Sequence, residues 1–276
     1  MTFTKLASAA VALLALSAPV EAMDLRLWRL DCGTIQVNDL SLFSDTYAYS
    51  GRSLRLTDSC YLIQHGTDYM LWDTGLPTGQ LGKPLGEEVM SATLTQTLAT
   101  QLSTLGIRPD QITLIGISHY HFDHVGQAAE FHQAKLMIGK ADLDAFASEP
   151  LPFGAQPDLL APWLKGHAPL EAVLGDKDVY GDGTVTMLAM PGHTPGSYAL
   201  FVRLQKAGPV LLSGDVVHFE EQLSTNNVPP FNTDRAESLA SMDRLRGIVA
   251  TLKAKLIVQH DAGDIGKLPD FPTAAD

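Results

Sequence analysis

At residues 118–124 this chain reads Ser118-His119-Tyr120-His121-Phe122-Asp123-His124, with three imidazoles and a carboxylate in six consecutive positions. The apolar residues before it predict a strand over residues 112–117. Two histidines at alternate positions after a strand converge on one cation, and the Asp-His pair that follows can hold a second cation. The stretch therefore predicts a metal site at the end of a strand.

Three more candidate ligands follow strand-like runs later in the chain. They are His193 after residues 185–189, Asp215 after residues 210–212 and His260 after residues 256–258. In layered α/β folds, functional residues gather on loops at the carboxyl ends of strands, so we expect these three near residues 118–124. Any one of these histidines alone is more often an ordinary residue than a ligand, and the prediction depends on the whole set.

In their order and spacing, these residues resemble the ligand pattern of the metallo-β-lactamase-fold hydrolases, over nearly the whole mature chain. Within that superfamily the chain is most similar to the N-acyl homoserine lactonases. That similarity is carried by residues 30–33 (LDCG), 60–63 (CYLI), 72–75 (WDTG) and 119–126. The resemblance implies an α/β fold, a four-layer αβ/βα sandwich. It also implies an enzyme that opens the lactone ring of N-acyl homoserine lactones, which quenches quorum sensing, by means of a metal-bridging hydroxide.

The resemblance assigns a metal-binding role to seven residues. The first cation would be bound by His119, His121 and His193, the second by Asp123, His124 and His260, and Asp215 would bridge the two. Such sites leave positions open for water and substrate, unlike closed structural sites. We expect two divalent ions, with zinc as the default, although imidazole and carboxylate also suit iron, manganese and cobalt.

Two residues are candidates for a direct catalytic role. Asp123 is expected to carry a proton to the departing ring alkoxide. His218 lies three residues after Asp215, where the lactonases that this chain resembles carry a tyrosine that donates a hydrogen bond to the substrate carbonyl. An imidazole N–H can also stabilise an oxyanion, so His218 is either a catalytic residue or a supporting histidine. Asp73 is expected to orient a ligand imidazole rather than to bind metal.

The first 22 residues predict a signal peptide, with Lys5 before an apolar stretch and Val20-Glu21-Ala22 as the cleavage site. We therefore expect a secreted protein, periplasmic in a Gram-negative source, with one hydrolase domain over residues 23–276. No later stretch approaches the roughly 20 apolar residues of a membrane span. An oxidising compartment permits a disulfide between Cys32 and Cys60, and two buried free thiols are the alternative.

The net charge of −12 argues against a nucleic-acid partner, because an acidic surface repels phosphates. A small amphipathic lactone or ester fits better. The apolar insert at residues 149–166, which contains Phe153 and Trp163, is expected to line an acyl-chain pocket, with a dimer contact or simple packing as alternatives. Residues 42–56 and 228–231 could share its wall. The family implies a monomer or a homodimer.

Other functions remain open at this stage. Organophosphate hydrolases of the methyl-parathion type share the whole ligand set, and another ester hydrolase is also possible on this fold. A β-lactamase fits less well, because Asp215 resembles the bridging ligand of lactonases and esterases. Outside enzymes, the chain could be a metal-binding or ligand-sequestering protein.

Periodicity predicts further elements of the sandwich. Strands are predicted at residues 25–37, 59–72, 135–138, 185–190, 198–204, 210–213 and 255–259. One helix is predicted from the leucine stripe Leu94, Leu98, Leu102 and Leu105, ending at Gly106. A second is predicted to begin after Asp234, with Glu237 as its capping partner, and to run through Lys253.

Overall fold

The computed structural model describes residues 24–276, and the predicted signal peptide at residues 1–22 lies outside them. The strands are β1 Leu25–Val37, β2 Leu54–His65, β3 Asp68–Trp72, β4 Met90–Thr93, β5 Ile112–Gly116, β6 Lys135–Gly139, β7 Leu170–Val173, β8 Lys177–Asp178, β9 Val185–Ala189, β10 Tyr198–Arg203, β11 Pro209–Leu212 and β12 Lys255–Ile257. The helices are α1 Leu98–Thr104, α2 Phe122–Val125, α3 Lys140–Ala145, α4 Ala161–Leu164, α5 Glu220–Thr225 and α6 Arg235–Leu252.

The strands form two mixed sheets. The larger sheet has the order β4-β1-β2-β3-β5-β6-β7, with β3, β5, β6 and β7 parallel to one another. The smaller sheet has the order β12-β11-β10-β9-β8, and only β11 and β12 pair in parallel. Strand β5 of the larger sheet and strand β11 of the smaller sheet both end at the edge of the sandwich where the candidate ligands lie. Each sheet therefore contributes residues to the site.

Three apolar clusters show how the layers are stacked. One cluster lies between the sheets and joins residues such as Trp72 of β3 to Leu200 of β10. A second packs α1 and α4 on the outer face of the larger sheet, and a third packs α6 on the outer face of the smaller sheet. The order is therefore helix, sheet, sheet, helix, which confirms the four-layer α/β sandwich.

Most predicted elements are confirmed, with one clear error. The single strand predicted over residues 59–72 is wrong, because the chain forms the β2–β3 hairpin around Gly66, which adopts φ +60°. Gly66 lies among the polar residues His65, Thr67 and Asp68, which indicate a turn that the single-strand prediction overlooks. The leucine-stripe helix begins only at Leu98, where the side chain of Thr97 accepts a hydrogen bond from the Thr100 N–H.

The predicted start of the second helix is confirmed. The Asp234 carboxylate caps α6 by accepting a hydrogen bond from the backbone N–H of Glu237, at 2.8 Å. The helix ends at Leu252, and Lys253 takes the left-handed conformation that commonly terminates a helix. The loop before Asp234 carries part of the site, so the cap also holds that loop in place.

Cys32 and Cys60 form a disulfide, so the first of the two alternatives from the sequence is the one that the structure contains. The bond joins β1 to β2, and both sulfurs are fully buried. Gly75 packs directly on it: a Cβ at Gly75 would lie 2.4 Å from the Cys32 Cβ. The turn after β3 therefore requires glycine, both for this close approach and for its φ of +63°.

None of the helices in residues 24–276 combines the length and the apolar content needed to cross a bilayer.

Candidate metal centre

The motif that follows β5 changes from extended chain to helix within the site. His119 lies in the loop, His121 is the N-cap residue of α2, and Asp123 and His124 fall in the first turn of that helix. A hydrogen bond of 2.9 Å from the His124 N–H to the His121 carbonyl closes the turn. This turn separates the motif into two pairs of side chains that face two different positions.

One group consists of His119, His121 and His193. The His193 Nε2 lies 3.1 Å from the His119 Nε2 and 3.0 Å from the His121 Nδ1. Burial lowers the pKa of His119 and His121 well below the usual range and lowers the pKa of His193 to about 3. These imidazoles are therefore neutral, with nitrogen atoms converging on one position.

A second group consists of Asp123, His124 and His260. The His124 and His260 Nε2 atoms are 3.3 Å apart, and the Asp123 carboxylate lies 3.9 Å from the His124 Nε2. Burial opposes protonation here, but neighbouring carboxylates, chiefly Asp215, outweigh it: they raise the pKa of His260 to about 9 and that of His124 well above its usual range. The negative charge of these carboxylates therefore favours positive charge at this group.

Asp215 lies between the two groups. Its Oδ2 atom is 3.5 Å from the His193 Nε2, and its Oδ1 atom is 3.1 Å from the His260 Nε2. Although burial disfavours its charge, the imidazoles of His260 and His124 hold the pKa of Asp215 well below the usual range. One oxygen therefore faces each group, which is the arrangement that a bridging carboxylate needs.

The donor set fits two divalent cations. The ligand atoms in each group lie within 4.8 Å of one another: one group holds His119, His121, His193 and Asp215, and the other holds Asp123, His124 and His260. Asp215 Oδ1 is buried without a hydrogen-bond partner in the described chain. Bare imidazole nitrogens that face one another and an orphaned carboxylate oxygen are stabilised when cations lie among them. All seven predicted ligands are thus brought together.

Three of the five ligand imidazoles are held through their Nδ1 nitrogens. The His124 Nδ1–H donates to Asp73 Oδ2 at 2.9 Å, the His193 Nδ1–H donates to Asn232 Oδ1 at 2.9 Å, and the His260 Nδ1–H donates to the Thr57 carbonyl at 2.8 Å. Such bonds fix the tautomer and leave Nε2 free for a metal. Asp73 lies where the sequence predicted, as an orienting residue.

Asp142 is a positioning residue that the sequence did not reveal. Its buried carboxylate accepts hydrogen bonds from the Tyr120 N–H at 3.1 Å, the Thr194 hydroxyl at 2.9 Å and the Gly196 N–H at 2.6 Å. It therefore ties the loop that carries His119 and His121 to the loop that carries His193. Burial raises the pKa of Asp142 to about 7. No spacing in the sequence connects this residue, at the start of α3, with either loop.

His218 is buried beside Asp215, with its Nε2 atom 3.2 Å from the Asp215 Oδ2. The Gln222 side-chain oxygen accepts hydrogen bonds from both the backbone N–H and the Nδ1–H of His218, at 2.8 and 3.1 Å. The amide nitrogen of Gln222 donates to the Phe43 carbonyl, which fixes the orientation of the amide group. Gln222 thus keeps a proton on Nδ1 and turns Nε2 toward the centre, a role that no spacing in the sequence indicates.

A cavity of about 360 Å³ opens directly above this centre. His121, Asp123, His193, Asp215 and His260 face it. The rest of the wall is formed by Ile35, Leu42, Phe43, Leu56, Met90, Phe122, Phe153, Gly154, His218, Pro230 and Phe231. Its size and apolar wall are typical of a small-molecule site. The segments predicted to share the wall, residues 42–56 and 228–231, both contribute to it.

The insert at residues 149–166 is only partly in that wall. Phe153 lines the cavity and stands edge-on to His121, with ring centroids 5.8 Å apart. Trp163, predicted beside it, is instead buried against the outer face of the larger sheet, and its Nε1–H donates to the Ala134 carbonyl. That part of the prediction is wrong, because α4 turns its tryptophan into the core.

Comparison with known proteins agrees with this geometry. The family model of the metallo-beta-lactamase superfamily matches residues 55–259. The chain is 26% identical to the N-acyl homoserine lactonase AttM of Azorhizobium caulinodans, covering 86% of this chain and 94% of the relative. It is also 26% identical to the N-acyl homoserine lactonase AiiA of Bacillus thuringiensis subsp. kurstaki, covering 76% of this chain and 84% of the relative.

A solved structure supports the same relationship. The crystal structure of a quorum-quenching N-acyl homoserine lactone hydrolase superposes with a TM-score of 0.76 at 25% sequence identity. The superposition covers 90% of this chain and 97% of that one. The similarity therefore extends over nearly all of both chains.

Proposed function

This chain belongs to the metallo-beta-lactamase superfamily, and from that premise we propose that it opens the lactone ring of N-acyl homoserine lactones and so quenches quorum sensing. The observation that carries the proposal is Asp215, whose two oxygens face two groups of metal-ligand atoms on the floor of an apolar cavity. The similarity to lactonases such as AttM and AiiA supports this choice of substrate.

The metal ligands would be the seven residues gathered at the centre, with two divalent cations, zinc by default, as the resident cofactor. When bound, the cations would polarise the lactone carbonyl and lower the pKa of a water molecule. Asp215 would hold the two positions together, because its carboxylate screens the repulsion between two like charges.

Asp123 would handle the proton in the proposed reaction. Its carboxylate faces the cavity, and its side chain is 13% exposed, so it is accessible to substrate. Opening the ring leaves an alkoxide that needs a proton, and a carboxyl group at the cavity floor can deliver one. The product is the open hydroxy acid.

His218 would stabilise the developing charge on the substrate carbonyl. His218 lines the cavity with its Nε2 atom 3.2 Å from Asp215 Oδ2, and Gln222 accepts from its Nδ1–H. The role requires a proton on Nε2 as well, because an unprotonated ring nitrogen can only accept a hydrogen bond. A donor that is already oriented loses little free energy to reorganisation when charge develops in the transition state. His218 would take the role of the tyrosine that stands at this position in the lactonases that the chain resembles.

The apolar wall would hold the acyl chain. Phe153 and Phe231 pack against each other, with ring centroids 5.4 Å apart, and Leu42 and Leu56 also line the cavity. Burial of a hydrocarbon chain against such residues stabilises the complex by about 0.8 kcal/mol for each methylene group. An amphipathic lactone is therefore the partner that fits, rather than a nucleic acid.

Export to the periplasm is also part of the proposal. The disulfide between Cys32 and Cys60 suits an oxidising compartment, and the pattern of residues 1–22 suits a secretory signal. A quorum-quenching enzyme in that compartment would meet its substrates as they diffuse into the cell. We propose a monomer or a homodimer in solution.

The proposed function is tested by hydrolysis assays on the protein from residue 23 onward, purified and loaded with zinc. The panel contains N-hexanoyl and N-decanoyl homoserine lactones, a phosphotriester and a β-lactam. We expect efficient opening of the lactones, and loss of that activity in Asp123→Ala. If the phosphotriester is hydrolysed and the lactones are not, the protein is an organophosphate hydrolase and the lactonase proposal is wrong.

A matched control separates catalysis from general damage. Asp243→Ala removes an exposed carboxylate of α6, with its side chain 86% exposed, and should leave lactone opening unchanged. The metal content of each variant, measured by elemental analysis, shows whether Asp123→Ala acts through lost metal or through the proton step.

A further inference from the structure

His121 faces the candidate metal centre through a different nitrogen from its neighbours. Its Nδ1 atom lies 3.0 Å from the His193 Nε2, whereas His193 and His119 approach each other through their Nε2 atoms, at 3.1 Å. The edge of the His121 ring that carries Nε2 and Cδ2 is therefore turned away from the centre. In the described part of the chain this edge makes no hydrogen bond, unlike the Nδ1 edges of His124 and His260.

The insert at residues 149–166 covers this outer edge of the ring. The backbone of Gly154 lies so close to it that a Cβ at this position would overlap the His121 Cδ2 and lie 2.8 Å from the Nε2. Ala155 pairs with His121 in an isolated antiparallel bridge. Phe153 stands edge-on to the same ring, with centroids 5.8 Å apart. Three consecutive residues of the insert therefore meet one proposed ligand.

Only glycine at residue 154 permits this contact. Its φ of +75° lies in the left-handed region, and it has no side chain to separate the backbone from the ring. The insert cannot easily move away from a larger residue, because Leu160 and Trp163 anchor its later part in the core. A side chain at residue 154 is therefore expected to displace the His121 imidazole.

From these contacts we propose that Gly154 is a positioning residue for His121. The backbone of the insert holds the imidazole in the orientation that directs Nδ1 to the first metal, in place of a hydrogen bond. Ligand imidazoles need such support, because a ring that is not fixed binds metal more weakly. This inference rests on the proposed metal ligands. It gives the insert two separate tasks, with Phe153 in the cavity wall and Gly154 behind a ligand.

Gly154→Ala tests the inference, with Gly183→Ala as the matched control. Gly183 has the same φ of +75°, but a Cβ there would meet no atom within 4 Å. Both variants therefore carry the backbone strain, and only Gly154→Ala overlaps a ligand. Stepwise zinc titration of the protein from residue 23 onward, against a competing chelator, gives the affinity for each of the two metals. Replacement of zinc by cobalt reports ligand geometry through the visible absorption spectrum.

We expect Gly154→Ala to lower the affinity for one metal about 10- to 100-fold and to alter the cobalt spectrum, with the affinity for the other metal unchanged. Gly183→Ala should match wild type in both measurements. Asp73→Asn is expected to weaken the second metal, so the double variant should lose affinity for both metals, each by the amount seen in the single variants. That result assigns the Gly154 effect to the first metal.

Wild-type affinities for both metals in Gly154→Ala, or equal losses in the two glycine variants, would overturn the inference and leave the metal centre intact. If Gly154→Ala does not fold, Gly154→Asn introduces the same Cβ with less strain, because asparagine tolerates positive φ, and Gly183→Asn is its control. If the wild-type protein binds fewer than two metal ions, the proposed centre is wrong, and the inference fails with it.

Discussion

The Asp73 carboxylate accepts a hydrogen bond of 2.9 Å from the Nδ1–H of His124, and both side chains are completely buried. Asp73 takes a left-handed backbone conformation, φ +59°, directly after β3. Its second oxygen accepts from the Ser118 N–H at 2.7 Å, at the start of the histidine motif. One carboxylate therefore couples the end of β3 to a proposed ligand of the second metal and to the loop that carries the first two ligands.

We predict that Asp73→Asn weakens binding of the second metal about 10- to 100-fold, because the amide no longer fixes and polarises the His124 imidazole. Zinc titration against a competing chelator measures this affinity. The first metal, which does not depend on His124, should be retained more strongly. Asp243→Asn, on the exposed face of α6, is the control. Equal loss of both metals would contradict a specific role for the Asp73–His124 bond.

Substitution of Gln222 should act on the orientation of His218 rather than on the metals. Gln222→Leu removes the acceptor for the His218 Nδ1–H, and we expect kcat to fall about tenfold with zinc content unchanged, on the scale of one lost hydrogen bond. Gln222→Glu keeps an acceptor and should retain more activity. Nitrogen-15 NMR of the zinc-loaded protein reports the tautomer directly. Unchanged protonation of the His218 Nδ1 in Gln222→Leu would contradict this assignment.

Asp142 should make stability depend on pH. Folding raises its pKa from about 3.9 to about 7, so the unfolded chain loses this proton first as pH rises. The protonated Asp142 contributes fully to the free energy of unfolding below about pH 4. This contribution declines as the pH rises to about 7. Each unit of pH in that window removes up to about 1.4 kcal/mol.

The measurement is the free energy of unfolding of wild type and Asp142→Ala in chelator, at pH 5 and pH 8. The advantage of wild type over Asp142→Ala should be smaller at pH 8. Asp144→Ala, which removes an exposed carboxylate of the same helix, should show no such trend. An advantage that grows with pH would show that the carboxylate is stabilised, rather than penalised, by its surroundings.

Two aromatic residues of the insert should behave differently when replaced. Phe153→Ala removes an exposed ring from the cavity wall, and we expect KM to rise selectively for long-chain substrates, with little change in stability. Trp163→Ala removes a buried core ring and should lower the free energy of unfolding by about 3–5 kcal/mol, without altering the preference for chain length. A selective KM effect in Trp163→Ala and none in Phe153→Ala would show that the wall has been assigned incorrectly.

The local sequence was sufficient to predict the metal-ligand candidates and most of the strands. His119 to His124 form a dense motif after a strand, and the later candidates each follow an apolar run, so residue type and position already indicated a shared rim. Alternating or β-branched runs predicted the strands, and Asp234 with Glu237 predicted the start of α6. The single strand predicted over residues 59–72 overlooks the turn that Gly66 and its polar neighbours His65, Thr67 and Asp68 indicate.

The sequence by itself thus determined most strands and the proposed ligands, because these depend on local periodicity and spacing, and its resemblance to the metallo-β-lactamase-fold hydrolases implied the sandwich. The net charge predicts a small-molecule rather than a nucleic-acid partner, and this stays a prediction. Only the tertiary structure decided which residues support the proposed ligands. Asp142 joins two loops that are more than fifty positions apart, Gln222 acts through His218, and Trp163 turns into the core rather than the cavity. Hydrogen bonds and packing between distant segments produce no periodic pattern in the sequence. These contacts can therefore be identified only when the stacking of the two sheets is known.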